Sequence, residues 1–230
     1  MEDKKGGDQM VEISRYLPFW EHLSPQEQEL VMQNITTVHY RKGERVHSGD
    51  DDCLGMLILK SGRLCTYLLS EEGREITLFR LSAGETCIFS ASCVISQITF
   101  DVLISAEEDT EALLLGLPVF SQLKRENIYV ENFSLQLAVE RFSDVMWAMQ
   151  QLLFLGMDQR LAIFLLDEAS KTGSPIVKIT HEKIAKHTGS AREVVTRMLK
   201  RFAEDGLVSL ARGTVRLENI AGLKRLLPPN

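Results

Sequence analysis

One stretch near the C-terminus constrains this chain more than any other: Ile179-Thr-His-Glu-Lys-Ile-Ala-Lys-His-Thr-Gly-Ser-Ala-Arg-Glu-Val-Val-Thr-Arg-Met-Leu-Lys-Arg-Phe202. Its residue types predict two short helices joined by a tight turn. Thr180 can cap the first helix by accepting an orphan backbone N–H. Ile184 and Ala185 give that helix a small apolar face, and Gly189 ends it, because left-handed backbone after a helix is least strained at glycine. Ser190 is then expected to open the second helix, with Glu193 three residues on completing a capping box. Val194, Val195, Met198, Leu199 and Phe202 recur at helical spacing and predict one buried side. Arg192, Thr196, Arg197, Lys200 and Arg201 remain for the other faces. Directly downstream, residues 206–217 alternate apolar and polar on both sides of Arg212-Gly213, the pattern of a β-hairpin with a two-residue turn. Helix, turn, helix, hairpin is the order of a winged helix.

Charge separates this region from the rest. Residues 157–230 hold 13 Lys and Arg against 8 Asp and Glu, a net +5, whereas residues 1–156 hold 13 against 24, a net −11. A basic C-terminal part on an acidic body predicts that the former meets a polyanion, with a solvated basic surface as the plainer alternative. With 230 residues, 44% of them hydrophobic, the chain can bury a substantial core in one or two domains. No run of 18 apolar residues predicts a membrane span, and the polar start Met1-Glu-Asp-Lys-Lys-Gly-Gly-Asp lacks the apolar core of a signal peptide. A cytoplasmic location is expected, without a membrane partner, and with Cys53, Cys65, Cys87 and Cys93 as reduced thiols.

The N-terminal half reads differently. Ser24-Pro25 before Gln26–Met32 predicts a capped short helix with proline in its first turn. Short β-like runs follow, punctuated by Gly43, Gly49, Gly62, Gly73 and Gly84: residues 55–59, 63–69, 75–79 and 98–104. Strands of this length and spacing predict a small antiparallel barrel or jelly roll, which either holds one small ligand or is filled and only scaffolds.

Between the halves, Leu135, Val139, Phe142, Met146, Met149 and Leu153 are spaced 4, 3, 4, 3, 4, an a/d heptad stripe. The stripe predicts a dimer interface with parallel central helices; packing on the chain's own barrel is the alternative. A second apolar set, Leu137, Val145 and Leu152, suggests that both occur on different faces. Gly156 interrupts the pattern, Met157 starts a new helix, and residues 171–175 read as a loop. The organisation expected is therefore α+β: a flexible tail over 1–15, a β-roll effector or sensor domain over 16–126, a dimerisation helix and hinge over 127–156, and a winged helix-turn-helix over 157–230.

Glycine-marked roll, dimer helix and winged helix together resemble the Crp/Fnr family of bacterial transcription regulators. The resemblance runs from about Tyr16 to about Ile220. Its most specific pieces are Gly43-Glu44, Gly49-Asp50, Lys60-Ser-Gly62, Gly73-Arg-Glu75, Gly84-Glu85 and the Ser-Ala-Arg-Glu-Val-Val-Thr-Arg run. It implies a cytoplasmic homodimeric regulator, an activator, that binds a palindromic double-stranded DNA operator and RNA polymerase under control of a small-molecule effector in the roll. By position, Arg192 and Arg197 would contact guanine edges or nearby phosphate. Glu193 would accept from a cytosine amino group while also capping its helix. A TGTGA-like half-site is implied. Thr180, Ser190 and Lys200 are expected phosphate contacts, with Arg212 on the wing.

The chain departs from the family in the effector pocket. Cyclic-nucleotide-binding members carry an Arg-Ser/Thr pair for the cyclic phosphate. Here Phe100 and Asp101 fall near those positions, and no arginine occurs between Arg80 and Arg125. A phosphate beside Asp101 would be repelled, so cyclic AMP is not expected as effector. Cys87, Ser90, Cys93, Phe100 and Asp101 outline the candidate pocket. The two cysteines are open to readings as packing residues, a thiol redox sensor, a trap for an electrophile or metal ligands. Cys-x5-Cys is not a zinc spacing, and no metal or other cofactor is assigned. His22, His39 and His47 sit in polar contexts that suggest surface positions rather than haem ligands. Catalytic signatures are absent: there is no Gly-x-Ser-x-Gly, Walker loop or His-Glu-x-x-His. No enzymatic activity is expected. The alternative is a sensor module that acts through protein–protein contacts, with the basic helix as its docking surface.

Overall fold

The computed structural model describes residues 13–48, 54–71, 73, 75–88 and 102–228. They cluster into two compact units, one within residues 1–68 and 78–145, the other within 69–77 and 146–230.

In the N-terminal half the described apolar runs become strands: β1 (Ile35–Tyr40), β2 (Arg45–His47), β3 (Gly55–Ser61), β4 (Arg63–Leu69), β5 (Glu75–Ser82), β6 (Thr86–Cys87), β7 (Leu103–Ala106) and β8 (Thr110–Gly116), while residues 98–101 of the run expected at 98–104 lie outside the described residues. They build two four-stranded sheets with orders β1-β8-β3-β6 and β2-β7-β4-β5. The pairs are antiparallel, as in Leu57 opposite Leu114 and Thr66 opposite Ile104. The β3–β4 turn requires Gly62: φ is +84°, and a Cβ there would run into the backbone of Asp109 and Thr110.

Strand β3 reads as an unbroken apolar run because both its faces are buried. Leu57 and Leu59 point into the core between the sheets, with Leu64, Leu81, Cys87 and Ile104. Met56 and Ile58 point the other way, into a second core shared with helices. Those helices are a 3-10 turn at Trp20–His22, α1 (Pro25–Asn34), α2 (Leu117–Glu126) and α3 (Ile128–Phe154). Helix α1 starts as expected. Ser24 Oγ accepts from Glu27 N–H at 3.3 Å, and the Glu27 carboxylate accepts from Ser24 N–H at 2.7 Å, with Pro25 in the first turn. The hydrogen bonds to Ser24 and Asn127 hold the Glu27 carboxyl below its ordinary range against the opposing effect of burial, which is the largest single contribution.

Two expectations are corrected here. Ile13 lies inside the stretch expected to be a flexible tail, yet it is buried in the helical core beside Leu17 and Phe120, because an isoleucine next to an apolar cluster gains more from burial than from solvent. His47 is not at the surface but only 4% exposed. It lies on β2, where the register pairs it with the fully buried Ile104. His22 and His39 are exposed, as expected.

The second unit holds α4 (Met157–Thr172), β9 (Ile176–Lys178), α5 (His181–His187), α6 (Arg192–Glu204), β10 (Val208–Ala211), β11 (Thr214–Leu217) and α7 (Ile220–Arg225). Its three-stranded sheet has the order β10-β11-β9. Lys171 and Thr172 extend α4 rather than starting a loop, and Gly173 terminates it in left-handed backbone. Leu161, Leu165, Ile184, Val195, Leu199, Phe202 and Val215 form one core. Among the described residues no helix is long and apolar enough to cross a membrane.

Candidate nucleic-acid interface

The chemistry of the second unit is set by how α5 hands over to α6. Thr180 Oγ1 accepts from Lys183 N–H at 3.2 Å and caps α5. At the other end Thr188 Oγ1 donates to Ile184 O at 2.8 Å. Gly189 takes φ +58°, and Ser190 N–H donates to Ala185 O at 2.9 Å while Gly189 N–H donates to Lys186 O. These are the two bonds of a Schellman ending. The expected capping box at Ser190 is therefore corrected. Ser190 closes the first helix and does not open the second. Helix α6 begins at Arg192 with Ala191 as its N-cap and no side-chain cap.

This correction frees Glu193. Its carboxylate has no capping duty, and it stands exposed with Arg192, Arg197 and Lys200. Val195, Leu199 and Phe202 anchor the opposite side of α6 in the core, which fixes the direction of the charged face. Arg192, Glu193, Thr196, Arg197, Lys200, Arg201 and Glu204 line a groove of about 690 Å³. Among the described residues no side chain of the unit pairs with Arg192, Glu193, Arg197 or Lys200, whereas Arg201 lies 3.9 Å from Asp205. The wing forms as the sequence predicts: Ala211 opposes Thr214 across a two-residue turn, and Arg212 is exposed at its tip. Thr180 is exposed at the start of α5, and Ser190 is half-buried in the turn.

Helix α3 carries the apolar stripe. Leu135, Val139, Phe142, Met146, Met149 and Leu153 are between 45% and 69% exposed, an uncovered band on one side of a 27-residue helix. The second apolar set faces its own unit. Leu137 is buried and Val145 packs against the inter-sheet core.

Among the pocket candidates Cys87 is described. It is a buried thiol, 1% exposed, on β6 opposite Leu57. Ser90, Cys93, Phe100 and Asp101 lie outside the described residues. Sequence reasoning missed Arg141, which is 7% exposed on α3. Its guanidinium donates to Asp144 at 2.8 Å, approaches Glu85 and Glu140 at 3.9 and 3.6 Å, and stacks 5.2 Å above the Phe79 ring. Burial pushes the Asp144 carboxyl above its ordinary value, and Glu85 and Glu140 add to this, while Arg141 opposes it. Also missed was a bond between the two helices of the turn, His181 Nδ1 to Thr196 Oγ1 at 2.9 Å. No periodicity marks either residue.

Two family descriptions match the chain. A Crp-like helix-turn-helix domain covers residues 159–226, and a cyclic nucleotide-binding domain covers residues 37–127. The chain is similar to the crystal structure of a Crp/Fnr-family protein from Eubacterium rectale, at 44% identity and a TM-score of 0.88, covering 92% of this chain and 98% of that one. It is also 27% identical to the cyclic AMP receptor protein of Thermus thermophilus, over 91% of this chain and 96% of that protein. It is 25% identical to the transcriptional regulatory protein btr of Bordetella pertussis, over 86% and 83%.

Proposed function

The chain belongs to the Crp/Fnr family of transcriptional regulators, and from that premise we propose that it acts as a homodimer reading a palindromic operator, switched by an effector other than cyclic AMP. The observation that carries the reading is the face of α6. Four charged side chains, Arg192, Glu193, Arg197 and Lys200, stand exposed on one groove and, among the described residues, enter no ion pair. An exposed charge kept free of partners is available to an external one. Arginine offers the paired donors that fit the O6 and N7 acceptors of guanine, and a carboxylate accepts from the cytosine amino group. Lys200, Thr180, Ser190 and Arg212 are read as phosphate contacts that set register.

The α3 stripe supplies the symmetry. Six exposed apolar side chains at heptad spacing favour burial against a second copy, and a two-fold pair of α6 helices suits half-sites about 34 Å apart. The division of labour follows the sequence: a roll over 16–126 that senses, a helix over 127–156 that dimerises, and a winged helix over 157–230 that reads DNA from the cytoplasm. Contact with RNA polymerase and an activating outcome are carried by family membership alone.

Cyclic AMP is set aside because no arginine occurs between Arg80 and Arg125 to hold a cyclic phosphate. The effector is placed in the roll near Cys87, Ser90, Cys93, Phe100 and Asp101.

A salt-titrated mobility shift on an operator selected from random DNA tests the reading. Specific binding that falls steeply with salt is expected. Arg192→Ala should lose sequence preference, whereas Lys200→Ala should weaken all sequences alike and lower the salt slope by about one. Binding without sequence preference, insensitive to Arg192→Ala, would instead favour a protein-docking role for the basic helix.

A further inference from the structure

Thr196 lies in the middle of the reading face, between Glu193 and Arg197, and lines the same groove. A threonine there offers DNA either a hydroxyl or a methyl group. The hydroxyl is engaged twice. Thr196 Oγ1 lies 2.8 Å from Arg192 O, one helical turn back, and 2.9 Å from the ring nitrogen Nδ1 of His181, the first residue of α5.

The proton count decides what is left. A hydroxyl has one proton and two lone pairs. The bond to a backbone carbonyl can only be donated by the hydroxyl, so its proton goes to Arg192 O. The contact with His181 must then be donated by the imidazole Nδ1–H. That donation is available both to the Nδ1–H tautomer and to the doubly protonated ring. With its proton committed, the hydroxyl cannot donate to guanine N7 or O6, adenine N7 or thymine O4. His181 occupies one of its lone pairs and holds the side chain in this rotamer. What remains is the methyl and one lone pair, which can accept but cannot donate.

We propose that His181 is a positioning residue that keeps the Thr196 hydroxyl from donating to a base, so that the recognition helix meets a thymine through its 5-methyl group and not through its O4 acceptor. The proposal rests on the reading of α6 as the DNA-reading helix, and it deepens that reading by one base per half-site. Methyl contacts of this kind distinguish thymine in the major groove. The hydroxyl lock removes the donor option, the one that would engage the acceptors of guanine, adenine N7 or thymine O4.

The test uses the full-length protein and an operator selected from random DNA. Each thymine is replaced in turn by deoxyuridine, which removes only the 5-methyl group. One thymine per half-site is expected to lose about fourfold in affinity on replacement, the worth of one buried methyl. Thr196→Ser keeps the hydroxyl and both of its bonds but lacks the methyl, and it should bind the thymine and deoxyuridine operators equally. His181→Ala should relax the preference at that base pair. His181→Asn, whose amide N–H can stand in for Nδ1–H, should restore it. An operator that binds specifically yet tolerates deoxyuridine at every position overturns this inference alone, as does discrimination that survives in Thr196→Ser. Failure to enrich any DNA sequence overturns the parent reading and this one with it.

Discussion

Leu152 and Gly189 fit closely against each other: a Cβ placed on Gly189 would sit 2.5 Å from Leu152 Cδ2, so a larger residue there must displace the end of that side chain. The last turn of α3 thus abuts the turn between α5 and α6. Gly189 also holds φ at +58°, where other residues are strained by about 1–2 kcal/mol. Gly189→Ala is expected to destabilise the protein by about 2–3 kcal/mol, strain and overlap combined. Urea unfolding of Gly189→Ala, Leu152→Ala and the double variant checks this. The double variant should cost less than the sum of the singles, because truncating Leu152 removes the overlap.

The α3 stripe yields a prediction on assembly. Phe142 is 65% exposed in the single chain. Phe142→Glu places a charge at the centre of the proposed seam and should leave a folded monomer by light scattering, with unchanged circular dichroism and much weaker operator binding. A variant that remained dimeric would refute the seam.

Arg141 gives a pH dependence. One guanidinium faces three carboxylates, Asp144, Glu140 and Glu85. Arg141→Met keeps the volume but leaves the carboxylates to repel. The cost expected is about 2 kcal/mol near pH 7, below the 3–5 kcal/mol of a fully buried broken pair because the carboxylates are partly solvated. The sign follows from Asp144. Its carboxyl is raised in the folded protein, burial being the main cause, and Arg141 holds it down. Without the cation it rises further, so the folded variant binds more protons than the unfolded chain across the mildly acidic range. Stability of the variant relative to the parent should therefore recover as pH falls from 7 to about 4.5. Urea midpoints at both pH values decide it.

The helix caps make opposite predictions for two residues of similar chemistry. Thr180→Ala removes the acceptor of Lys183 N–H and should cost about 1 kcal/mol. Ser190→Ala should be nearly neutral, since Ala191 and not Ser190 occupies the cap of α6. Thermal melts of the two variants separate them. A large loss for Ser190→Ala would restore the capping box.

Isothermal calorimetry with cyclic AMP should register no tight binding. Tight binding would show that a phosphate is held without an arginine from residues 81–124, and would sink the effector argument.

Legibility in the sequence followed how local each cause was. Thr180, Gly189 and the Arg212-Gly213 turn act through their immediate neighbours, and their elements lie where the residues predict. Ser190 misled because Ser-x-x-Glu describes a possible cap but not competition: the Schellman closure of α5 claims Ser190 first. Strand β8, Thr110–Gly116, was missed because its apolar residues feed two cores at once, Leu113 and Leu115 on one face and Ala112 and Leu114 on the other, which erases the alternation of a half-buried strand. Arg141 and His181 were missed because their partners come from other elements, and no spacing rule encodes a tertiary contact.

The uncommitted state of Arg192, Glu193, Arg197 and Lys200 has an evolutionary reach. Side chains with no internal partner can be exchanged at almost no cost to folding, since exposed substitutions of this kind stay within about 0.5 kcal/mol. New combinations at these positions could therefore be sampled by mutation without passing through unstable intermediates. A gene network wired through such a helix is free to drift toward new promoters, and the limit on that drift is set by its existing binding sites and not by the scaffold.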